Sequence, residues 1–267
     1  MLSASHDFYK KEAAYDNEIK DKNRQRMGLF VTLLALALVT VVVMLSRRGV
    51  AKERKRSDEL LANILPAETA QELKNNGVAK AKAHNGVTIV FADIKNFTLI
   101  AGSLEPQVLV ELLGKYFSEF DSIITSLGLE KIKTIGDAYM FVSGLHGDSK
   151  KSALSVVTAS VKMISAIEKL EEEMNAKYGV SFSFRIGMHT GKVVSGVVGT
   201  VKYAFDIWGN AVNLASRMEE NSLPGKINVS EDTYQIIKDV FECESRGKLL
   251  VKNGGERGMY FVSNKNA

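Results

Sequence analysis

Between Gly28 and Leu45 the sequence carries no charged side chain in 18 consecutive positions. Wound as a helix at about 1.5 Å per residue, such a run spans about 27 Å, close to the hydrocarbon core of a bilayer. A helix packed in a soluble domain keeps a polar face, and this run has none. A cleaved leader needs a shorter apolar stretch with small residues at its exit, whereas Arg47 and Arg48 follow here directly. The run is therefore read as an uncleaved single-pass membrane anchor over residues 28–46, behind a polar N-terminal segment over residues 1–27. Basic residues flank both ends: Lys20, Lys22, Arg24 and Arg26 before, then Arg47, Arg48, Lys52, Arg54, Lys55 and Arg56 after. The balance leans slightly toward a cytoplasmic C-terminal part.

The rest is ordinary for a packed globular protein, at 45% hydrophobic and 25% charged residues. Cys243 is the single cysteine, so an internal disulfide and a multi-cysteine zinc site are both excluded, which suits a reducing compartment. The 35 basic residues exceed the 31 acidic ones only slightly, and much of the excess flanks the anchor. Nucleic acid is not expected as a partner.

Residues 47–83 read as a helical linker. Leu60, Leu61, Ile64 and Leu65 form an apolar stripe at helical spacing, and Leu73 extends it beyond a break at Pro66. Two readings stay open: a helix packed on its own domain, or a short parallel two-helix linker. Residues 84–267 read as one α+β domain, a mixed sheet covered by helices. Its expected elements are a buried strand over Gly86–Ala92, a helix over Leu104–Ser126 and a hairpin of Leu129–Ile135 with Ala138–Val142. A long helix over Ser149–Ala176 follows, then a strand pair, Ser181–His189 and Lys192–Val198, broken at Gly191. A helix over Trp208–Glu220 and strands around Ile227, Phe241 and Tyr260 complete the domain.

Asp93 ends the apolar strand Thr88–Ala92 and opens the loop Ile94–Thr98. A carboxylate there suits a metal, and the turn after it offers backbone N–H groups, although an aspartate in this position is more often a turn or cap residue. Asp137 stands at the corner of the hairpin. Two carboxylates at neighbouring strand ends are what a two-cation phosphoryl-transfer site requires, because Mg²⁺ takes few protein ligands and completes its shell with water and phosphate. Further on, Asn213 and Arg217 are four residues apart and share a helix face among Val212, Leu214 and Ala215. A guanidinium there can fork onto phosphoryl oxygens.

These stretches, taken in order, resemble the class III nucleotidyl cyclases, in particular the adenylyl cyclase branch. The resemblance covers about residues 60 to 264 and rests on five motifs: Val90–Ile94 with Phe97-Thr98, Glu130–Asp137, Phe184–Gly191, Asp206–Met218 and Val251-Lys252. It implies the ferredoxin-like, palm-like cyclase fold. It also implies that Asp93, Asp137 and the Ile94 carbonyl hold two Mg²⁺ or Mn²⁺ ions, while Arg185, Lys252 and the amides of Phe97 and Thr98 bind the triphosphate. Asn213 would orient the ribose, and Arg217 would stabilise charge on the α-phosphate. In this family the residue at the position of Lys133 faces the purine together with that at Asp206. A lysine donor suits adenine N1 and an aspartate acceptor suits the 6-amino group, whereas guanine presents N1–H and O6. ATP is therefore the expected substrate and 3′,5′-cyclic AMP the product, with a guanylyl cyclase or a catalytically silent nucleotide-binding dimerisation module as the competing readings. No Gly-Gly-(Asp/Glu)-Glu-Phe run of a diguanylate cyclase occurs.

The family builds each site from two protomers, and this chain carries both residue sets. A head-to-tail homodimer with two shared sites follows, anchored in the plasma membrane by one helix with its catalytic domain in the cytoplasm. The short polar segment before the anchor leaves the stimulus to an upstream sensor or partner. The loop after Asp93 has Asn96 where the family often has glycine, and asparagine tolerates left-handed backbone. His84, His146 and His189 lack metal-ligand spacing and are expected to be structural or exposed.

Overall fold

A computed structural model of the chain describes residues 2–62, 64–145, 149–199, 202–251 and 255–263. It divides into two units, residues 1–64 and 65–267.

The first unit is one helix, α1 (Leu2–Ala62, 61 residues). Within it, Tyr15–Asp58 is long and apolar enough to cross a membrane. Thr32 and Thr40 donate their hydroxyls to the carbonyls of Leu29 (2.8 Å) and Leu36 (2.7 Å). Their polar groups are thereby satisfied inside the helix, as a lipid environment demands. Pro66 then separates α1 from α2 (Ala67–Asn76).

The second unit is built on an eight-stranded mixed sheet. Its strands are β1 (Lys82–Ile94), β2 (Glu130–Ile135), β3 (Ala138–Ser143), β4 (Phe184–Val198), β5 (Ala204–Trp208), β6 (Ile227–Ser230), β7 (Glu242–Val251) and β8 (Gly255–Ser263). The order is β2-β3-β1-β4-β6-β8-β7, with β5 pairing β4; only β4 and β6 run parallel. The helices are α3 (Phe97–Ala101), α4 (Pro106–Ser126), α5 (Ser149–Tyr178), α6 (Asn210–Glu220) and α7 (Glu231–Ile237).

Both faces of the central strand are covered, which is why β1 reads as a continuous apolar run. Val90, Ala92 and Ile94 face α4 and α5, meeting Leu112, Tyr116, Phe120, Val156 and Met163. Val87, Ile89 and Phe91 face the other way, toward Met140, Ala211 and Ala215, so α6 covers this second face.

Two segments differ from the sequence reading. The pair expected on either side of Gly191 is one 15-residue strand, β4, and Gly191 pairs with Val87 inside the ladder. Gly191 is small because α6 lies against it: a Cβ there would come 2.7 Å from the Cβ of Ala211. The helix expected from Trp208 starts at Asn210; Ala204–Trp208 is a strand with Phe205 and Ile207 buried and Asp206 between them. The short helices α3 and α7 were not expected.

Candidate active site

β1 and the β2–β3 hairpin bring Asp93 and Asp137 to one end of the sheet. Ala92 pairs with Tyr139, and Ile135 pairs with Ala138, leaving Gly136 and Asp137 as a two-residue turn. Gly136 has φ of 62°, the positive value a II′ hairpin needs at its first central position. Burial first, and the charge of Asp137 second, push the Asp93 carboxyl above its ordinary range, while Arg185 and Lys95 pull it down. Two mutually repelling carboxylates beside the buried Ile94 are hard oxygen donors that fit Mg²⁺ or Mn²⁺. Among the described residues no group of three or more His, Cys, Asp or Glu converges on a metal site.

The loop beyond Asp93 is fixed by the Lys95 N–H, which donates to the Ser183 carbonyl at 2.8 Å. Asn96 has φ of 58°, the one non-glycine residue with positive φ among the described residues, as its chemistry allowed. Phe97 and Thr98 are the first two residues of α3, where amides have no acceptor within the helix. The Phe97 ring sits edge-on to Phe182 with centroids 6.5 Å apart, which anchors that turn.

Arg185 lies directly across the ladder from Asp93. Its Nη2 donates to Asp93 Oδ1 at 3.3 Å and its Nη1 to the Glu220 carbonyl at 3.4 Å. Its Nε forms an ion pair with Glu219 Oε1; both atoms are sealed from solvent and face each other without the alignment of a hydrogen bond. Burial, then the Asp93 charge, pushes the Glu219 carboxyl up to about 7, against the pull of Arg185. Nothing local in the sequence distinguishes Glu219 from its neighbour Glu220. What places it is Gly187: a Cβ on that glycine would lie 1.8 Å from the Glu219 amide nitrogen, so the last turn of α6 sits backbone against backbone on β4.

The other expected residues gather elsewhere. Lys133 Nζ donates to Asp206 Oδ2 at 2.5 Å, linking β2 to β5, and the Ile207 N–H donates to Asp206 Oδ1 at 2.9 Å. Asn213 is exposed on α6, and Arg217 is half-buried one turn on, where its Nη1 donates to the Glu220 carboxylate. Along β4, Asp93 pairs at Arg185 whereas Asp206 pairs at Gly196, 11 positions further on. Lys252 and His146 lie outside the described residues. His84 bonds Ser195 (2.8 Å) and the buried His189 bonds Ser230 (2.8 Å).

This fold and this arrangement define a nucleotidyl cyclase catalytic domain. Residues 79–264 match the family profile of the adenylate and guanylate cyclase catalytic domain, and the chain belongs to that family. It is 35% identical over 246 residues to an adenylate cyclase of Mycobacterium tuberculosis, covering 89% of this chain and 55% of that protein. It is 36% identical over 208 residues to guanylate cyclase soluble subunit alpha-1 of Rattus norvegicus, covering 76% of this chain and 30% of that one. The chain thus spans between 30% and 55% of the length of these two curated relatives. Among solved structures it is similar to the adenylyl cyclase CyaB from P. aeruginosa, with a TM-score of 0.67 and 30% identity over 70% of this chain and 97% of that one. The guanylate cyclase domain of RhGC from Catenaria anguillulae, solved in complex with GTP, gives 0.63 and 33% over 68% and 98%.

Proposed function

We propose that the chain is a membrane-anchored homodimeric adenylyl cyclase that converts ATP to 3′,5′-cyclic AMP and pyrophosphate. The observation that carries the choice of ATP is the pairing of Lys133 with Asp206. The contact holds each near the other, and the lysine is a donor suited to adenine N1 while the aspartate is an acceptor suited to its 6-amino group. Guanine would leave both partners unmatched, and unmatched buried polar groups discriminate by factors of about 10⁴ in sites built this way.

In this reading Asp93, Asp137 and the Ile94 carbonyl hold two divalent cations, Mg²⁺ or Mn²⁺, which supply charge neutralisation and acidify the ribose 3′-hydroxyl. The first-turn amides of Phe97 and Thr98, with Arg185 and Lys252, hold the triphosphate. Asn213 orients the ribose so that the 3′-oxygen lies in line with the α-phosphorus and the pyrophosphate leaving group. Arg217 leaves Glu220 to meet the charge that develops on the α-phosphate. Positioning and electrostatics supply the rate.

Exposed Val194, Val198, Tyr203 and Trp208 on the β4–β5 arm support assembly with a second copy. Head-to-tail pairing would set the carboxylates of one protomer against Lys133, Asp206, Asn213 and Arg217 of its partner. The α1 segment Tyr15–Asp58 supports anchorage in the plasma membrane, with the catalytic domain on the cytoplasmic side where nucleoside triphosphate is available. An upstream sensor or partner protein would supply the stimulus.

The test is turnover of ATP and GTP in competition by the full chain in lipid nanodiscs, with Mn²⁺ and then Mg²⁺. Preferential cyclic AMP formation is expected. Preference for GTP would make the chain a guanylyl cyclase, and no product from a verified dimer would make it a silent nucleotide-binding module.

A further inference from the structure

We propose that Glu219 is a positioning residue that sets how firmly Arg185 holds the Asp93 carboxylate, and thereby how readily that carboxylate accepts a divalent cation. The proposal rests on the reading of Asp93 as a cation ligand. Arg185 carries one positive charge and is shared by two acids, Asp93 through Nη2 at 3.3 Å and Glu219 through Nε. Glu219 is 5% exposed, and its Oε1 is sealed from solvent. Its backbone cannot retreat, because the last turn of α6 rests on Gly187 with no space for even a methyl group.

Arg185 therefore occupies Asp93 as a placeholder, and Glu219 draws part of its charge away from Asp93 while keeping it within reach. A cation held at Asp93 would take the place of Nη2, while Nε would stay with Glu219. The freed Nη2 would then be available to the triphosphate that Arg185 binds in the proposed function. The same guanidinium that meets this buried acid through Nε also reaches Asp93 through Nη2, with Nη1 on the Glu220 carbonyl.

Replacing the Glu219 carboxylate by an amide removes a negative charge beside the site. It also leaves Asp93 as the only carboxylate partner of Arg185 among the described residues. Both effects act in the same direction, against cation binding. Removing the arginine acts in the opposite direction.

The experiment titrates Mn²⁺ alone into the full chain in nanodiscs at pH 8, following the free ion by its electron paramagnetic resonance signal. Asp93→Asn identifies the relevant site by loss of binding. Glu219→Gln should weaken Mn²⁺ binding about threefold or more, and Arg185→Gln should tighten it by a similar factor. In the Arg185→Gln background the effect of Glu219→Gln should shrink, since most of it passes through the arginine. A purely structural glutamate would lower the unfolding temperature and leave Mn²⁺ affinity unchanged, which overturns the proposal. Should Glu219→Gln not fold, Arg185→Gln decides alone: unchanged or weaker Mn²⁺ binding overturns it. If the wild-type chain binds no Mn²⁺ that Asp93→Asn abolishes, the cation-site reading itself falls and takes this one with it. If it does bind and Glu219→Gln changes nothing, only the role of Glu219 is refuted.

Discussion

Lys133 and Asp206 meet within a single chain, Nζ to Oδ2 at 2.5 Å, although 73 residues separate them in sequence. The β2–β3 hairpin and the β5 strand are brought together before any nucleotide or second protomer is involved. If the pair reads the base as proposed, its preformed contact means that little order is lost when the base arrives.

Exchanging Lys133→Glu together with Asp206→Cys should lower the ratio of ATP to GTP turnover (kcat/KM) by about 10² or more, since it replaces the donor for N1 by an acceptor. Competitive turnover with both nucleotides measures it. An unchanged ratio would refute the base-reading role.

Asp93→Ala should abolish turnover and leave the dimer intact by light scattering, and Arg217→Ala should do the same. Mixed in equal amounts and allowed to exchange, the two inactive chains should recover about a quarter of wild-type activity, because half the dimers then contain one intact site of two. No recovery in a mixture shown to contain heterodimers would mean that the sites are not shared.

His189 gives a pH dependence with a defined sign. It is buried, with Nδ1 2.8 Å from Ser230 Oγ and 3.8 Å from Asp232. Burial, helped by Arg257 and opposed by Asp232, holds its pKa below the ordinary value of 6.5. The unfolded chain therefore binds this proton more readily than the folded one. The stability His189 contributes is complete above pH of about 6.5 and is lost as the pH falls from there toward the depressed folded value. His189→Gln should flatten the fall in unfolding temperature between pH 7 and pH 5, and a parallel fall in both proteins would exclude His189 as its source.

Glycine substitutions should separate packing from propensity. Gly187→Ala places a Cβ 1.8 Å from the Glu219 nitrogen and should cost about 3 kcal/mol or more. Gly114→Ala, in α4 with nothing within 4 Å, should stabilise by up to about 1 kcal/mol. Thermal unfolding of both variants checks the pair; equal effects would mean that α6 does not rest on Gly187 as described.

Local chemistry made part of this legible in the sequence. A glycine before Asp137 between two β-rich runs marks the hairpin, and Pro66 marks the break before α2. Asn96 takes the left-handed backbone its side chain tolerates. What was hidden is what depends on contact between distant segments. Gly191 reads as a break because glycine usually punctuates, yet here it is small to admit Ala211. The strand of Asp206 has no counterpart in the sequence reading, which starts the helix at Trp208, although Phe205 and Ile207 alternate around Asp206. Glu219 sits in a Met-Glu-Glu run that reads as an ordinary helix end, and only the approach of α6 to Gly187 aims it at Arg185.

β4 is a single uninterrupted ribbon with Arg185 near its start and the partner of Asp206 near its end. Reversing a second copy against the first would bring the head of one ribbon to the tail of the other at both ends. In such a pairing of identical chains the two centres would be equivalent by symmetry. Silencing one centre while sparing its twin would then require two different chains.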